Sequence, residues 1–120
     1  MENIDRRKLL SAICHGAILF SSMVVTVAAP IVILFTTEDS IVKANARESL
    51  NFHINLYTYV LVFYLVFFLA IGIGLPVVLL IVLSLVLWLV NFIMPTIALI
   101  HVLNSPNQPY RYPFIFRLVS

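Results

Sequence analysis

The sequence predicts an all-α membrane protein with three transmembrane helices in an antiparallel bundle, and three observations carry that prediction. Of its 120 residues, 62% are hydrophobic and only 10% charged, a balance outside that of soluble domains. The seven Lys/Arg and five Asp/Glu fall in three short clusters. These are Glu2 to Lys8 at the start, Glu38 to Glu48 in a loop, and Arg111 with Arg117 at the end. Between them, Leu9 to Thr37 and Ser49 to Tyr110 hold no Asp, Glu, Lys or Arg. A charge at the bilayer centre costs about 2.5–3.5 kcal/mol on insertion scales, so charge-free runs of this length mark what lies in lipid.

A spanning helix needs roughly 20 apolar residues. The first run, Leu9 to Phe35, is long enough for one tilted span and too short for two. The second run suffices for two, and Gly72, Gly74 and Pro76 punctuate it as a turn. The spans are therefore expected at about 9–35, 51–73 and 76–102, within a single integral membrane domain covering 1–120. Arg6, Arg7 and Lys8 look like the basic flank of a signal peptide, but the apolar stretch behind them exceeds the usual 7–15 residues. An odd number of spans puts the termini on opposite sides. Three Lys/Arg then face four across the membrane, so the positive-inside rule gives almost no preference; the dense first cluster leans to a cytoplasmic N-terminus.

At 100° per residue, the polar residues of each span share one face. Ser11, His15, Ser22, Thr26 and Ala29 form a stripe on the first. Asn51, Asn55 and Thr58 align on the second, with Glu48 and Ala44 continuing the face backwards and Tyr59 at its edge. Ser84, Trp88, Asn91, Pro95 and Ala98 align on the third. Small and hydrogen-bonding residues gather where helices touch in lipid, so the stripes are expected to point inward, with His15, Asn55, Tyr59 and Asn91 as interhelical polar contacts. Asn91 and Tyr59 each lie about 15 residues from the shared turn, at equal depth, and a hydrogen bond between them is expected.

His53 and His101 come near one another at the opposite surface. As a pair they are the residues that would ligate a haem or chlorophyll, but spacing favours hydrogen-bonded interfacial histidines, and neither cofactor nor metal is expected. Cys14 and His15 diverge as consecutive helix residues and form no nucleophile–base pair. With no charged group deep in any span, an ion relay is disfavoured. No catalytic constellation is present, so the chain reads as a non-enzyme.

Thr37-Glu38-Asp39-Ser40 reads as a helix start, and 38–50 as a short interfacial helix before the second span. The tail, 104–120, carries Pro106, Pro109 and Pro113, which keep it from being a further helix, while Tyr110, Tyr112, Phe114 and Phe116 suit the headgroup layer. Arg47, Glu48, Asn51, Tyr110, Arg111, Tyr112 and Arg117 are the expected partner-binding residues, on one exposed polar and aromatic surface.

Two stretches carry a resemblance: Ala46-Arg47-Glu48-Ser49-Leu50-Asn51-Phe52-His53-Ile54, and Tyr110 to Arg117, with Ala29-Pro30 ahead of both. They look like a family of small bacterial membrane proteins that is similar to the Tic-twenty component of the chloroplast inner-envelope protein translocon. The likeness runs from His15 to Arg117; the plant protein has a fourth span, and the family often carries glutamine where His53 stands. It implies a multi-pass protein of a prokaryotic plasma membrane or thylakoid membrane. The residues themselves favour an accessory, assembly or scaffold subunit of a larger membrane complex, and the resemblance adds a component of a protein-translocation apparatus or oligomeric pore as the alternative. Expected partners are the lipid bilayer, other integral membrane proteins and further copies of the chain, not nucleic acid.

Overall fold

The computed structural model describes residues 2–20, 23–74, 76–113 and 115–119; Ser22 and Phe114 lie outside them. Among the described residues, helices α1 (Glu2–Phe20), α2 (Met23–Thr36), α3 (Ser40–Gly72) and α4 (Val77–Asn104) are joined by short connections and followed by an irregular tail.

Among the described residues, only α3 and α4 are long and apolar enough to cross a membrane. The expected first span is two helices instead. α2 has 14 residues, about 21 Å at 1.5 Å per residue, short of a hydrocarbon core of about 30 Å. Arg7 Nε donates to Asp39 Oδ2 at 2.6 Å, and Arg7 Nη1 donates to Asn107 Oδ1 at 2.6 Å. The start of α1, the loop after α2 and the segment after α4 therefore meet at one end, and α1 and α2 run antiparallel. Cys14 of α1 packs with Ile33 of α2 and with Val42 and Ala46 of α3. An apolar run reads the same whether it continues forward or doubles back, because hydropathy carries no direction. Packing decides it: folding back buries Thr26, Pro30 and Ile33.

The expected interfacial helix over 38–50 is the opening of α3, which continues unbroken into the apolar part. Asp39 caps it, its Oδ1 accepting from Ile41 N at 2.9 Å and Val42 N at 3.2 Å, as an N-cap acid satisfies otherwise orphaned amides. Thr37 Oγ1 in turn accepts from Asp39 N at 3.2 Å. At the far end, Gly74 adopts φ +85°, a left-handed conformation that glycine takes without a Cβ penalty. Its N–H donates to the Ile71 carbonyl at 3.1 Å, and Pro76 opens α4.

α1 lies close against α4, whereas α3 and α4 touch each other sparsely. Gly16 permits the first approach, since a Cβ there would stand 3.3 Å from Leu99 Cδ1. The tail explains the second. Tyr112 is packed between Phe52 and Leu56 of α3 and Ala98 of α4, with Tyr110 and Ile115 alongside. Nearer the turn, Leu61, Leu65, Phe68 and Leu69 of α3 and Val78, Leu79, Ile81 and Leu85 of α4 are exposed, an apolar surface suited to lipid. The molecule measures 59 × 24 × 23 Å.

Candidate functional site, a polar core closed by the tail

Prolines 106, 109 and 113 deny the tail a helical ladder, so its backbone N–H and C=O groups need partners from elsewhere. One face of α3 supplies them. Asn45 Oδ1 accepts from Tyr110 N at 3.0 Å, and Glu48 Oε1 from Tyr112 N at 2.6 Å. Asn55 grips Phe116 twice, accepting from its N–H at 2.9 Å and donating to its carbonyl at 2.6 Å. Asn51 does the same with Val119, at 2.7 Å and 3.0 Å. Two side-chain amides thus stand in for a neighbouring β-strand. The tail climbs α3 from Asn45 to Asn55 and returns to Asn51.

Beneath it lies His15, fully buried. Its Nε2 is 2.8 Å from Asn45 Oδ1, and its Nδ1 is 2.9 Å from the Tyr112 hydroxyl. Asn45 Nδ2 donates to Ser11 Oγ at 3.0 Å and to the Ile41 carbonyl at 3.1 Å, which fixes the amide orientation and leaves Oδ1 as a pure acceptor. The His15 proton therefore sits on Nε2, and Nδ1 accepts from Tyr112. Burial, with Tyr110 and Glu48 adding to it, holds the Tyr112 hydroxyl well above the usual tyrosine range, so that proton stays available to donate. Both nitrogens of His15 are occupied. Ser49 Oγ donates to the Cys14 carbonyl and closes the α1–α3 contact.

Glu48 is buried and paired. Arg117 Nη2 donates to its Oε1 at 2.8 Å and Arg117 Nε to its Oε2 at 3.1 Å, while Nη2 also reaches the Tyr112 carbonyl at 2.9 Å. Tyr112 stacks on Phe52 with centroids 4.2 Å apart and rings 14° from parallel. Tyr110 meets both Tyr112 and His101 edgewise or tilted, at 4.9 and 5.3 Å.

This arrangement sorts the sequence-predicted residues differently from a single exposed surface. Glu48 and Asn51 are buried against the chain's own tail, Tyr112 of the tail is buried against α3 and α4, Arg117 is committed to Glu48, and Tyr110 is half-buried. Arg111 is exposed and Arg47 half-exposed. Asn55 is buried as an internal contact, though with the tail rather than with another helix.

The expected Asn91–Tyr59 bond does not form. Tyr59 is 42% exposed and Asn91 Oδ1 has no partner. Counting along a helix gives depth but not rotation, and here the tail, not α4, takes the polar face of α3; Tyr57 and Tyr64, not Tyr59, share a cavity with Asn91. Nor do the two histidines share ring neighbours: His53 rests on Phe52 and Tyr57, while His101 contacts Tyr110 and its Nε2 lies 3.1 Å from the Gln108 carbonyl. Among the described residues no cluster of three or more His, Cys, Asp or Glu is placed to hold a metal. Asn45 was missing from the sequence-predicted set; the signal that points to it is its position three residues before Glu48, where Ala44 was assigned to the face.

No curated protein and no solved structure matches this chain. Residues 6–119 match one family model, described as the magnetosome magnetite crystal formation protein family. This corrects the resemblance to a Tic-twenty-like family, and the translocation alternative falls with it. With nearly the whole chain inside the match, the protein belongs to the MamF/MmsF family of magnetosome magnetite crystal formation proteins.

Proposed function

We propose that this protein is a two-pass accessory subunit of the membrane in which magnetite crystals form, with its charged end toward the cytoplasm. The observation that carries the reading is the gathering of all three charged clusters at one end through the Arg7–Asp39, Arg7–Asn107 and Glu48–Arg117 contacts. Seven Lys/Arg then flank the same membrane face and none the other, a strong bias under the positive-inside rule. From Ser49 to Gly72 is about 36 Å of helix, sufficient to cross the hydrocarbon, and the α1–α2 hairpin enters only part-way.

Because the buried polar groups serve the chain's own tail, the outward cations at the charged end form the surface offered to other membrane proteins. Arg6 and Arg111 are exposed, and Lys43 and Arg47 half-exposed, and among the described residues none of their side chains has a hydrogen-bonded or ionic partner in the chain. A chromosomal deletion complemented with the wild type or with Arg47→Glu/Arg111→Glu tests this. The double variant is expected in the membrane at normal levels, with altered crystal number or size by electron microscopy and loss of crosslinks to other membrane proteins. Normal crystals and unchanged crosslinks would contradict the reading.

A further inference from the structure

The polar groups of α3 that face the tail are bonded, but a second set of buried polar groups on α3 and α4 is not. Tyr57 Oη, Asn91 Oδ1 and both ring nitrogens of His53 are buried without a hydrogen-bond partner in the chain. Tyr57 and Asn91 line one cavity of about 160 Å³ between α3 and α4, and His53 lies outside its lining, its ring 5.8 Å from that of Tyr57. Pro95 deepens the local deficit, since it offers no N–H to the carbonyl of Asn91 four residues earlier. Hydrogen-bonding groups left unpaired in apolar surroundings are costly, and more so where no water-filled region adjoins them.

The rest of the cavity defines what fits. Leu56, Val60 and Leu87 make aliphatic walls, and Tyr64 and Trp88 add aromatic ones. Tyr64 and Trp88 are also 43% and 60% exposed, so the mouth opens sideways on the lipid-facing side of the helix pair. Tyr57 stands about 13 Å along α3 from Glu48, inside the hydrocarbon in the proposed topology, and an occupant therefore arrives through the bilayer. No Asp, Glu, Lys or Arg occurs between Ser49 and Tyr110, which leaves no counter-charge for an ion and selects a neutral molecule. The volume suits a planar head of one or two rings and excludes a macrocyclic pigment. An acyl chain would leave the Tyr57 hydroxyl and Asn91 Oδ1 unpaired, whereas a ring oxygen of a quinone or quinol accepts from the first and, in the quinol, a ring hydroxyl donates to the second.

We propose that this cavity binds the head group of a lipid-soluble quinone or quinol, with Tyr57 and Asn91 at its ring oxygens, Tyr64 and Trp88 against its faces, and its apolar chain leaving into lipid. The inference rests on the two-pass topology proposed above but not on the crystal-formation role, and the binding assay reads it separately from that role.

Trp88 is the single tryptophan of the chain and a natural reporter, because quinones quench indole emission at contact. The full-length protein in phospholipid nanodiscs is titrated with a decyl-substituted dimethoxybenzoquinone while Trp88 fluorescence is followed. Saturable quenching is expected, with apparent affinity reduced about 10-fold in Tyr57→Phe, an estimate from the loss of one buried hydrogen bond. Asn91→Leu should change the quinone's affinity little but weaken competition by the reduced quinol, because only a quinol hydroxyl can donate to Asn91 Oδ1. Tyr57→Phe keeps the ring and removes only the hydroxyl, so it decides the matter even if Asn91→Leu folds poorly. Quenching that rises linearly with quinone in the bilayer, or saturable quenching of equal affinity in wild type and Tyr57→Phe, would overturn the assignment and leave the cavity to water and lipid.

Discussion

Asn45 is the residue on which most of the polar core converges, bonding His15, Ser11, the Ile41 carbonyl and the Tyr110 amide. Asn45→Leu leaves a buried imidazole N–H and a backbone N–H without acceptors, a loss on the order of 3 kcal/mol. Tyr112→Phe removes one hydroxyl and should cost about 1 kcal/mol; thermal melting in detergent ranks the two, and equal melting points would contradict the network. Asp39 sets a pH dependence at the same scale. Partial burial pulls its carboxyl upward, but hydrogen bonds from Arg7 and from the Val42 and Ile41 amides outweigh that and hold it below the usual carboxylate range. A depressed folded value means that the acid stabilises the fold fully above about pH 4 and loses that contribution as pH falls through the lower folded value. Asp39→Asn retains a capping side chain but not the charge, so wild type and variant should differ in melting at neutral pH and converge in acid. A constant difference across that range would assign the effect to capping alone.

At the scale of elements, the tail is what joins α3 to α4, which touch each other only sparsely. It sits between them, and α3 answers backbone groups of Tyr110, Tyr112, Phe116 and Val119 from Asn45, Glu48, Asn55 and Asn51 in turn. Removing residues 106–120 uncovers Phe52, Leu56 and Ala98 and strips these polar side chains of their bonds to the tail, so amide hydrogen exchange over 45–56 should accelerate by an order of magnitude or more. Exchange unchanged by the truncation would mean that the helices hold that region without the strap. The polar face itself was legible: Glu48, Asn51 and Asn55 recur at helical spacing. Its partner was not, because three prolines announce only that the tail is not helical. They say nothing of which groups satisfy an extended backbone. Thr58 illustrates the limit from the other side, sitting in the same stripe yet exposed and donating to the Ile54 carbonyl of its own helix at 2.8 Å.

For the whole molecule, composition and charge spacing suffice for an all-helical membrane protein, and the Gly74–Pro76 turn marks where the second apolar run reverses. The count of spans was not legible, because the apolar run from Leu9 fits one tilted helix or a doubled-back pair equally well by hydropathy. The choice depends on long-range contacts, Arg7 with Asp39 and Cys14 with Ile33, that no local pattern encodes. That choice changes the reading of the charges: a three-span chain divides its Lys/Arg almost evenly, whereas the hairpin brings them to one side. Single cysteines placed by Asp5→Cys, Glu38→Cys, Ile73→Cys and Arg111→Cys in a Cys14→Ser background, probed with a membrane-impermeant maleimide on sealed vesicles of both orientations, test this most directly. The hairpin topology requires positions 5, 38 and 111 to label from the cytoplasmic face and position 73 from the other. Labelling of positions 5 and 38 from opposite faces would contradict it.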